Sequence, residues 1–502
     1  MKLVRSLFAT SLVLGLLAAA PAARALPNVW LYPSSAPCDT TLQACVNAAA
    51  AGDTVRVVAD VPQAGNLSLT KSLTIEGDPN VTARPALGRK LTRTAISISS
   101  EDPTDVTQVN VTIHHLRLVQ MGISAYYPKG SGSTLEISDV DISSVAGSNG
   151  NSAIDLTAYA PITVRITDDT IESDGYGIRL STATGGTAGF GVPTPGAFEA
   201  WIERNDITTP DPSNSVGNDL SLRPYAGSSS WVRFYDNLID GVGGCNCGNA
   251  SGVAIGNVSV SGSGGDSRVD AWHNTIVRTG KGGTGFPPGI AVGRDPLAPL
   301  MVTLFDNIWA LGKGGGIRVD GSPTMSNGLN DWYGNAEKNH WGVVSHPNEL
   351  TVAPGFVDPA GDFRLASGST LLDQGVVCRP GGLGILDVTG RLRLAGASVD
   401  VGAYERGAAF GTSGIVEIAG SADNTLTGTS GQDFLCGGPG KDDISGAGGS
   451  DYLEGGKGLD AVHGGPGDDT IVTKDGLAGD IADGGKGVDL CRVDPGDTKI
   501  SC

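Results

Sequence analysis

The chain has 502 residues, 76 of them Gly, with 17% charged residues and a formal net charge of −19. Glycine at that level without a G-x-y period excludes collagen. An acidic chain with no basic patch excludes nucleic acid and anionic membranes as electrostatic partners, and points instead to solubility and cation binding.

The first 25 residues, MKLVRSLFATSLVLGLLAAAPAARA, read as a secretory signal peptide. Lys2 and Arg5 form a basic head, Leu7–Ala20 an apolar run, and Ala23-Arg24-Ala25 a small-x-small cleavage site. No later segment is long and apolar enough to span a bilayer. The expected location is secreted, extracellular or at a bacterial cell surface. Eight cysteines fit that oxidising setting as disulfides. Cys38 and Cys45 lie seven residues apart, and Cys491 and Cys502 staple the C-terminal tail, residues 493–502. The pairing of Cys245, Cys247, Cys378 and Cys436 stays open.

One helix is expected. TTLQACVNAAAAGD places Leu42, Cys45, Val46 and Ala49 on one face, with Thr40 or Thr41 to cap its start and Gly52 its end. A single amphipathic helix ahead of many strands reads as a lid over the end of a stack.

Short strand patterns follow, each ending in Asn or Asp beside an apolar residue. The markers are Leu118, Ile142, Ile171, Ile207, Ile239, Ile276 and Ile308, with gaps of 24, 29, 36, 32, 37 and 32 residues. Short gaps suit one coil of a solenoid, and longer ones suit a coil plus a Gly-rich inserted loop. No coil can bury its apolar face alone, whereas stacked coils bury continuous aliphatic ladders. Asn at the same turn of each coil would form a side-chain amide ladder. The expected class is all-β: a right-handed parallel β-helix over residues 26–408, a linker at 409–418, and a second β unit at 419–492. The pattern from about Cys38 to about Trp309 resembles the pectin-lyase-like β-helix superfamily. The stretch Pro354–Glu405, through GDFRLASGSTLLDQG, DVTGR and DVGAYE, resembles the end segment called choice-of-anchor Q. In that resemblance Asp373, Asp387 and Asp400 fix turns and do no chemistry.

The C-terminal block is regular in nines: GTSGQDFLC, GGPGKDDIS, GAGGSDYLE, GGKGLDAVH, GGPGDDTIV, then a degraded DGLAGDIAD and GGKGVDLCR. Position six holds Asn424, Asp433, Asp442, Asp451, Asp460, Asp469, Asp480 and Asp489, and position eight is apolar or Cys. Glycines in the turn bring backbone carbonyls together, and the Asp adds a carboxylate. Hard oxygen donors suit Ca²⁺. Two units make one coil, so Asp433, Asp451 and Asp469 stack on one side and Asn424, Asp442 and Asp460 on the other. The expected Ca²⁺ ligands are Asn424, Asp433, Asp442, Asp451, Asp460, Asp469 and Asp489. Residues 419–492 carry 12 Asp and 1 Glu against 4 Lys and 1 Arg, so self-repulsion opposes folding without cations. The block resembles the RTX, or haemolysin-type, calcium-binding β-roll. The resemblance implies calcium as the bound ion.

Enzyme function is the competing expectation for the β-helix. Alginate epimerases resemble this order of modules, but their Y-G-x-D-P-H motif is missing. The nearest string, DGYGIRL at Asp174–Leu180, lacks Asp-Pro-His. Arg179, Arg204, Arg233, Asp206 and Asp236 could face one groove in a lyase, but outward strand positions are the favoured account of them. Of the histidines, His114 and His115 are adjacent, so one points outward, and His273 sits at a turn. The aromatic run Asn330–Gly342, with Trp332, Tyr333 and Trp341, could stack on sugar rings or pack an edge. The leading reading is a secreted calcium-binding protein whose β-helix is a non-catalytic surface or carbohydrate-binding scaffold, an extracellular or cell-surface polysaccharide being the partner in the second case. The alternative is a polysaccharide lyase or uronate epimerase.

Overall fold

The computed structural model describes residues 27–502 except 62–64, 82, 89–95, 100–107, 128–131, 144–151, 174–175, 183–195, 209–219, 224–228, 242–252, 256–266, 280–289, 293–299, 313, 322, 337–338, 344, 377, 379–385, 392, 394–397, 407–414 and 420–421. The signal-peptide stretch, Cys245, Cys247 and most of the linker at 409–418 lie outside the described residues.

Among the described residues there are forty strands and one helix. The helix, Leu42–Ala48, starts at Thr41, whose hydroxyl accepts from the Ala44 N–H at 3.1 Å. It ends earlier than expected, with Ala49 as the capping residue; Gly52 serves the following turn at φ 93°. Leu42, Cys45 and Val46 are buried with the first coils, and the Cys38–Cys45 disulfide fixes the segment there. The helix therefore covers the apolar end of the stack, which an open parallel sheet would leave exposed.

The stack is a parallel β-helix. Most full coils give two strands to an 18-stranded sheet and one to a 10-stranded sheet; Asn110–Val119 and Ser133–Ser143 are single bent strands in the larger sheet, and every pairing in these two sheets is parallel and in register from coil to coil. In the larger sheet each coil turns at a one-residue bend with positive φ, either between two strands or inside one. That residue is His115, Asp139, Asp168, Arg204, Asp236, His273, Asp306 and Leu329 in successive coils. The residue after the bend points inward, and in five coils it is asparagine. Asn205 donates to Asn237 Oδ1 at 3.0 Å, Asn237 to Asn274 at 3.0 Å, Asn274 to Asn307 at 2.9 Å and Asn307 to Asn330 at 2.9 Å. Each amide also donates to a carbonyl of the preceding coil, as Asn274 does to Phe234 O at 2.8 Å. The amide ladder is thus present, and it keeps buried backbone groups paired where the chain turns.

The apolar ladder lies two residues past the amide. Leu118, Ile142, Ile171, Ile207, Ile239 and Ile276 stack in register. The seventh marker needs correction. Trp309 takes the inward position opposite Ile276, while Ile308 pairs with Thr275 and faces outward. The amide fixes the phase: Asn307 is followed two residues on by Trp309, as Asn274 is by Ile276. Trp309 then stacks on Trp332 at 4.3 Å, so Trp332 is core. Burying each such side chain contributes about 1.5–3 kcal/mol.

Residues 350–406 strap the outside of the last coils. Phe363, Leu365, Leu371 and Val401 pack on Leu238, Val277 and Ile308. The Arg393 guanidinium reaches the buried Asp236 at 2.6 Å and donates to Gly402 O at 2.9 Å. Asp373, Asp387 and Asp400 hold the strap's turns: Asp387 Oδ1 accepts from the N–H groups of Thr389 and Arg391, both at 2.9 Å, and Asp400 from those of Asp373 and Arg406, both at 2.8 Å. The Cys378–Cys436 disulfide then joins the strap to the C-terminal unit, a pairing across 58 residues that spacing does not reveal.

Candidate metal centre

From Val416 to Ile500 the chain forms two five-stranded parallel sheets that face each other. Each nine-residue unit gives one short strand and one turn. Equivalent units in one sheet are 18 residues apart, so Leu435, Leu453 and Ile471 stack, as do Leu426, Ile444 and Val462. All six side chains are buried between the sheets. The strands run beyond 419–492 at both ends, because Thr498–Ile500 adds a last strand to the second sheet.

The turns force the close approach. Gly456 has φ 102°, and a Cβ there would overlap the Gly438 carbonyl of the coil before. Position six then falls into two rows. Asp433, Asp451, Asp469 and Asp489 line one side; Asn424, Asp442, Asp460 and Asp480 line the other. Along each row one carboxylate oxygen accepts a backbone N–H from the coil before. The Asp433 N–H donates to Asp451 Oδ1 at 2.7 Å, Asp451 to Asp469 at 2.8 Å, and Asp469 to Asp489 at 2.8 Å. The Asn424 N–H donates to Asp442 Oδ1 at 2.8 Å, Asp442 to Asp460 at 2.9 Å, and Asp460 to Asp480 at 2.8 Å.

The second oxygen has no such partner. Oδ2 of Asp442, Asp451, Asp460, Asp469, Asp480 and Asp489, and Oδ1 of Asn424, are buried without a hydrogen bond. In the regular units, those of Asp442, Asp451, Asp460, Asp469 and Asp489, Oδ2 opens onto the unit's first glycine. A Cβ on Gly437 would lie 2.5 Å from both Asp442 Oδ2 and the Gly455 carbonyl, and one on Gly455 would lie 2.6 Å from Asp460 Oδ2. Glycine is therefore required for space, and the void it leaves is bordered by a carboxylate oxygen and a carbonyl of the next coil. Such orphaned acceptors are costly unless a cation completes them. No three His, Cys, Asp or Glu side chains converge among the described residues, and the further oxygens bordering these voids are backbone carbonyls, those of Gly455, Gly464 and Gly484 beside Gly437, Gly446 and Gly464. A hard, all-oxygen donor set of this kind fits Ca²⁺.

Burial raises these acids. Asp451 is pushed up to about 7, and Asp460 and Asp469 to about 6; Asp442 and Asp480 also rise. Burial is the largest cause, the single N–H bond opposes it, and neighbouring carboxylates add to it. Asp433 differs. Its Oδ1 accepts from the Ile415 N–H at 2.6 Å and its Oδ2 from the Thr429 N–H at 2.5 Å, so both oxygens are satisfied by the protein.

All seven residues singled out by the repeat lie in these two rows. Two more belong with them. Asp480 keeps its place because the insertion of Thr473 and Lys474 is absorbed as a 20-residue step, in which Ile481 pairs with Ala461. Its position in the degraded unit is the signal for it. Asp497 closes the second row by accepting from the N–H groups of Gly479, Asp480 and Asp494 at 3.1, 3.2 and 2.8 Å. No repeat marks it.

The β-helix candidates do not converge. Arg179 lies in the 10-stranded sheet and pairs with Asp155. Arg204 pairs with Asp168 at the bend, and Arg233 with Glu199 on the larger sheet. Asp236 is buried against Arg393 under the strap. His114 pairs with Glu76 at 2.9 Å, His115 with Asp139 at 2.7 Å, and His273 is buried. Of the aromatic run, only Trp341 and Tyr333 are exposed. A cleft of about 660 Å³ does open near the N-terminal coils, lined by Asp60, Arg84, His115, Arg117, Asp139 and Asp141 among others. His115 holds acceptors at both ring nitrogens, Asp139 and the Val81 carbonyl at 3.1 Å, which favours its protonated form.

Comparison with known families agrees with the C-terminal geometry. Residues 418–453 and 445–477 match the family described as RTX calcium-binding nonapeptide repeat (4 copies). Such repeats bind calcium, and the roll is a calcium-binding unit. No curated protein matches the chain. Among the described residues no helix is long and apolar enough to cross a membrane.

Proposed function

We infer that the chain is a secreted calcium-binding protein whose roll folds on Ca²⁺ and whose β-helix is a non-catalytic surface or carbohydrate-binding scaffold. The carrying observation is the pair of rows of buried Asp Oδ2 atoms that lack partners beside glycine carbonyls. In this reading Asn424, Asp442, Asp451, Asp460, Asp469 and Asp489 are ligands, joined by Asp480. Asp433 is the weakest donor of the set, because N–H groups already occupy it. The three disulfides support an oxidising, extracellular setting, and the basic-apolar-small pattern of residues 1–25 supports export through a signal peptide. The β-helix is read as pectin-lyase-like, with Pro354–Glu405 as a choice-of-anchor Q-like end. Arg179, Arg204, Arg233 and Arg278 are spent on ion pairs between neighbouring coils, which supports a scaffold over a catalytic groove.

Far-ultraviolet circular dichroism of the full chain, titrated with Ca²⁺, tests the roll. A gain of β-structure that saturates at millimolar calcium and reverses with chelator is expected; no change refutes calcium-dependent folding. A second reading, a lyase or epimerase acting on acidic polysaccharide, draws on the N-terminal cleft, where Arg117 forms no ion pair among the described residues. Incubation with alginate and pectate, with and without Ca²⁺, decides it. Unsaturated products or altered uronate stereochemistry would overturn the scaffold reading.

A further inference from the structure

We propose that the first coil of the roll, residues 415–436, is a calcium-independent template fixed to the β-helix, from which calcium-driven folding advances coil by coil toward the C-terminus. The inference rests on the calcium-folding reading above and adds its direction and starting point.

The C-terminal end of this coil is tied to the strap, which is itself anchored up to Arg406. The chain leaves the strap at Arg406, whose N–H donates to Asp400 Oδ2 at 2.8 Å and whose guanidinium donates to Leu365 O at 3.0 Å. It returns at Cys436, covalently joined to Cys378. Around that bridge Val399 of the strap is buried with Phe434 and Tyr452, whose rings stack at 5.2 Å. The covalent tie removes part of the loop-closure entropy that an untethered coil loses on ordering.

The first coil also lacks the electrostatic barrier of the later ones. Position six holds a neutral amide, Asn424, and a carboxylate, Asp433, with both oxygens bonded to the N–H groups of Ile415 and Thr429. Gly431 N–H donates to Thr429 Oγ1 at 3.0 Å and holds that turn. Every later coil adds two carboxylates, each with a buried, unpaired Oδ2. The first coil thus buries one unpaired neutral amide oxygen, Asn424 Oδ1, and no unpaired carboxylate, whereas each later coil buries two unpaired carboxylate oxygens that call for a cation.

Once present, it offers its free edge. The Asp443 N–H donates to Asn424 O at 2.9 Å and the Tyr452 N–H to Asp433 O at 2.9 Å, so the second coil seats on the first. In a repeat array a unit gains stability mainly from its neighbour, which makes the pre-formed coil the nucleus. The far end is also stapled, by Cys491–Cys502, but the coil there contains Asp480 and Asp489 with unpaired oxygens. It cannot serve as a cation-free nucleus.

The test is hydrogen exchange on the full chain during a titration with Ca²⁺ alone. In calcium-free protein the amides of Ala419 and Phe434, which donate to Cys436 O and Ile415 O, should be protected, while those of Ala461, Thr470 and Leu490 should exchange freely. Calcium should then protect Tyr452 before Thr470 and Thr470 before Leu490. The double variant Cys378→Ser/Cys436→Ser should lose the calcium-free protection and shift the calcium midpoint upward roughly threefold or more, with the saturated state unchanged. Cys491→Ser/Cys502→Ser should shift it less than about twofold. Phe434→Ala, which keeps the bridge and weakens the docking, should move the midpoint in the same direction and covers the case in which the double variant misfolds. Free exchange of the first coil in calcium-free wild type, or protection that spreads from the C-terminal coil, overturns the proposal. A wild type that shows no calcium response overturns the calcium-folding reading itself.

Discussion

The backbone N–H of Asp433 donates to the carboxylate of Asp451 at 2.7 Å, across one coil of the roll, and leaves the other Asp451 oxygen buried without a partner. One carboxylate thus divides its duties. Oδ1 ties two coils together as structure, and Oδ2 is held ready for a cation. The same division repeats along both rows, which makes cation binding and coil stacking one event.

Asp451→Asn keeps the acceptor toward Asp433 and removes the charge. The calcium midpoint should rise roughly tenfold, or about 1.4 kcal/mol. The folded β-content at saturating calcium should be retained. Isothermal titration alongside circular dichroism checks both, and an unchanged midpoint would show that Asp451 is not a ligand.

Gly455→Ala places a methyl 2.6 Å from Asp460 Oδ2, in the void that this oxygen faces. The substitution is made in the space a cation would occupy. It should reduce the number of ions bound and leave the β-helix melting transition in place, as read by titration and calorimetry.

The acids of the roll predict a pH effect with a defined sign. Asp451 reaches about 7 and Asp460 and Asp469 about 6, each above its ordinary value of 3.8. The folded roll therefore binds protons more tightly than the unfolded chain. Without calcium its stability should fall as pH rises from about 4 to about 7. Protons occupy the same oxygens as calcium, so the calcium midpoint should be several-fold higher at pH 5.5 than at pH 7.5. Circular dichroism titrations at the two values check this.

Asp169 stands in the ladder position that asparagine holds in the next five coils. Its Oδ1 accepts from the Val140 N–H at 2.8 Å, and burial pushes its carboxyl well above the usual range. Asp169→Asn should stabilise the β-helix by about 1 kcal/mol or more at pH 8 and by less at pH 5, because only the acid loses stability as pH rises through its folded value. Asn274→Ala, by contrast, strands donors and acceptors on both neighbouring coils and should cost about 3 kcal/mol. Thermal unfolding at the two pH values reads both variants.

Much of the architecture was legible because it is periodic. The nine-residue spacing carries glycine, Asp433 to Asp489 and the apolar position at once, so the two rows and the two sheets follow from counting. The Asn-x-Ile steps at Asn205, Asn237 and Asn274 likewise give a coil and its amide ladder. Counting fails where the period carries no phase: Ile308 and Trp309 are both apolar, and only Asn307 at the bend assigns Trp309 to the interior. It fails again where contacts are distant and unrepeated. Arg393 beneath the strap with Asp236, the strap's cover over Ile308, and Cys436 paired with Cys378 have no local signature. The sequence by itself determined the repeating units, their side-chain rows and the ion they suit, since those depend on spacing along the chain. Tertiary structure decided which oxygens remain unpaired, which coil carries its own donors and how the roll is tied to the β-helix, since those depend on burial and on contacts between segments far apart in the chain.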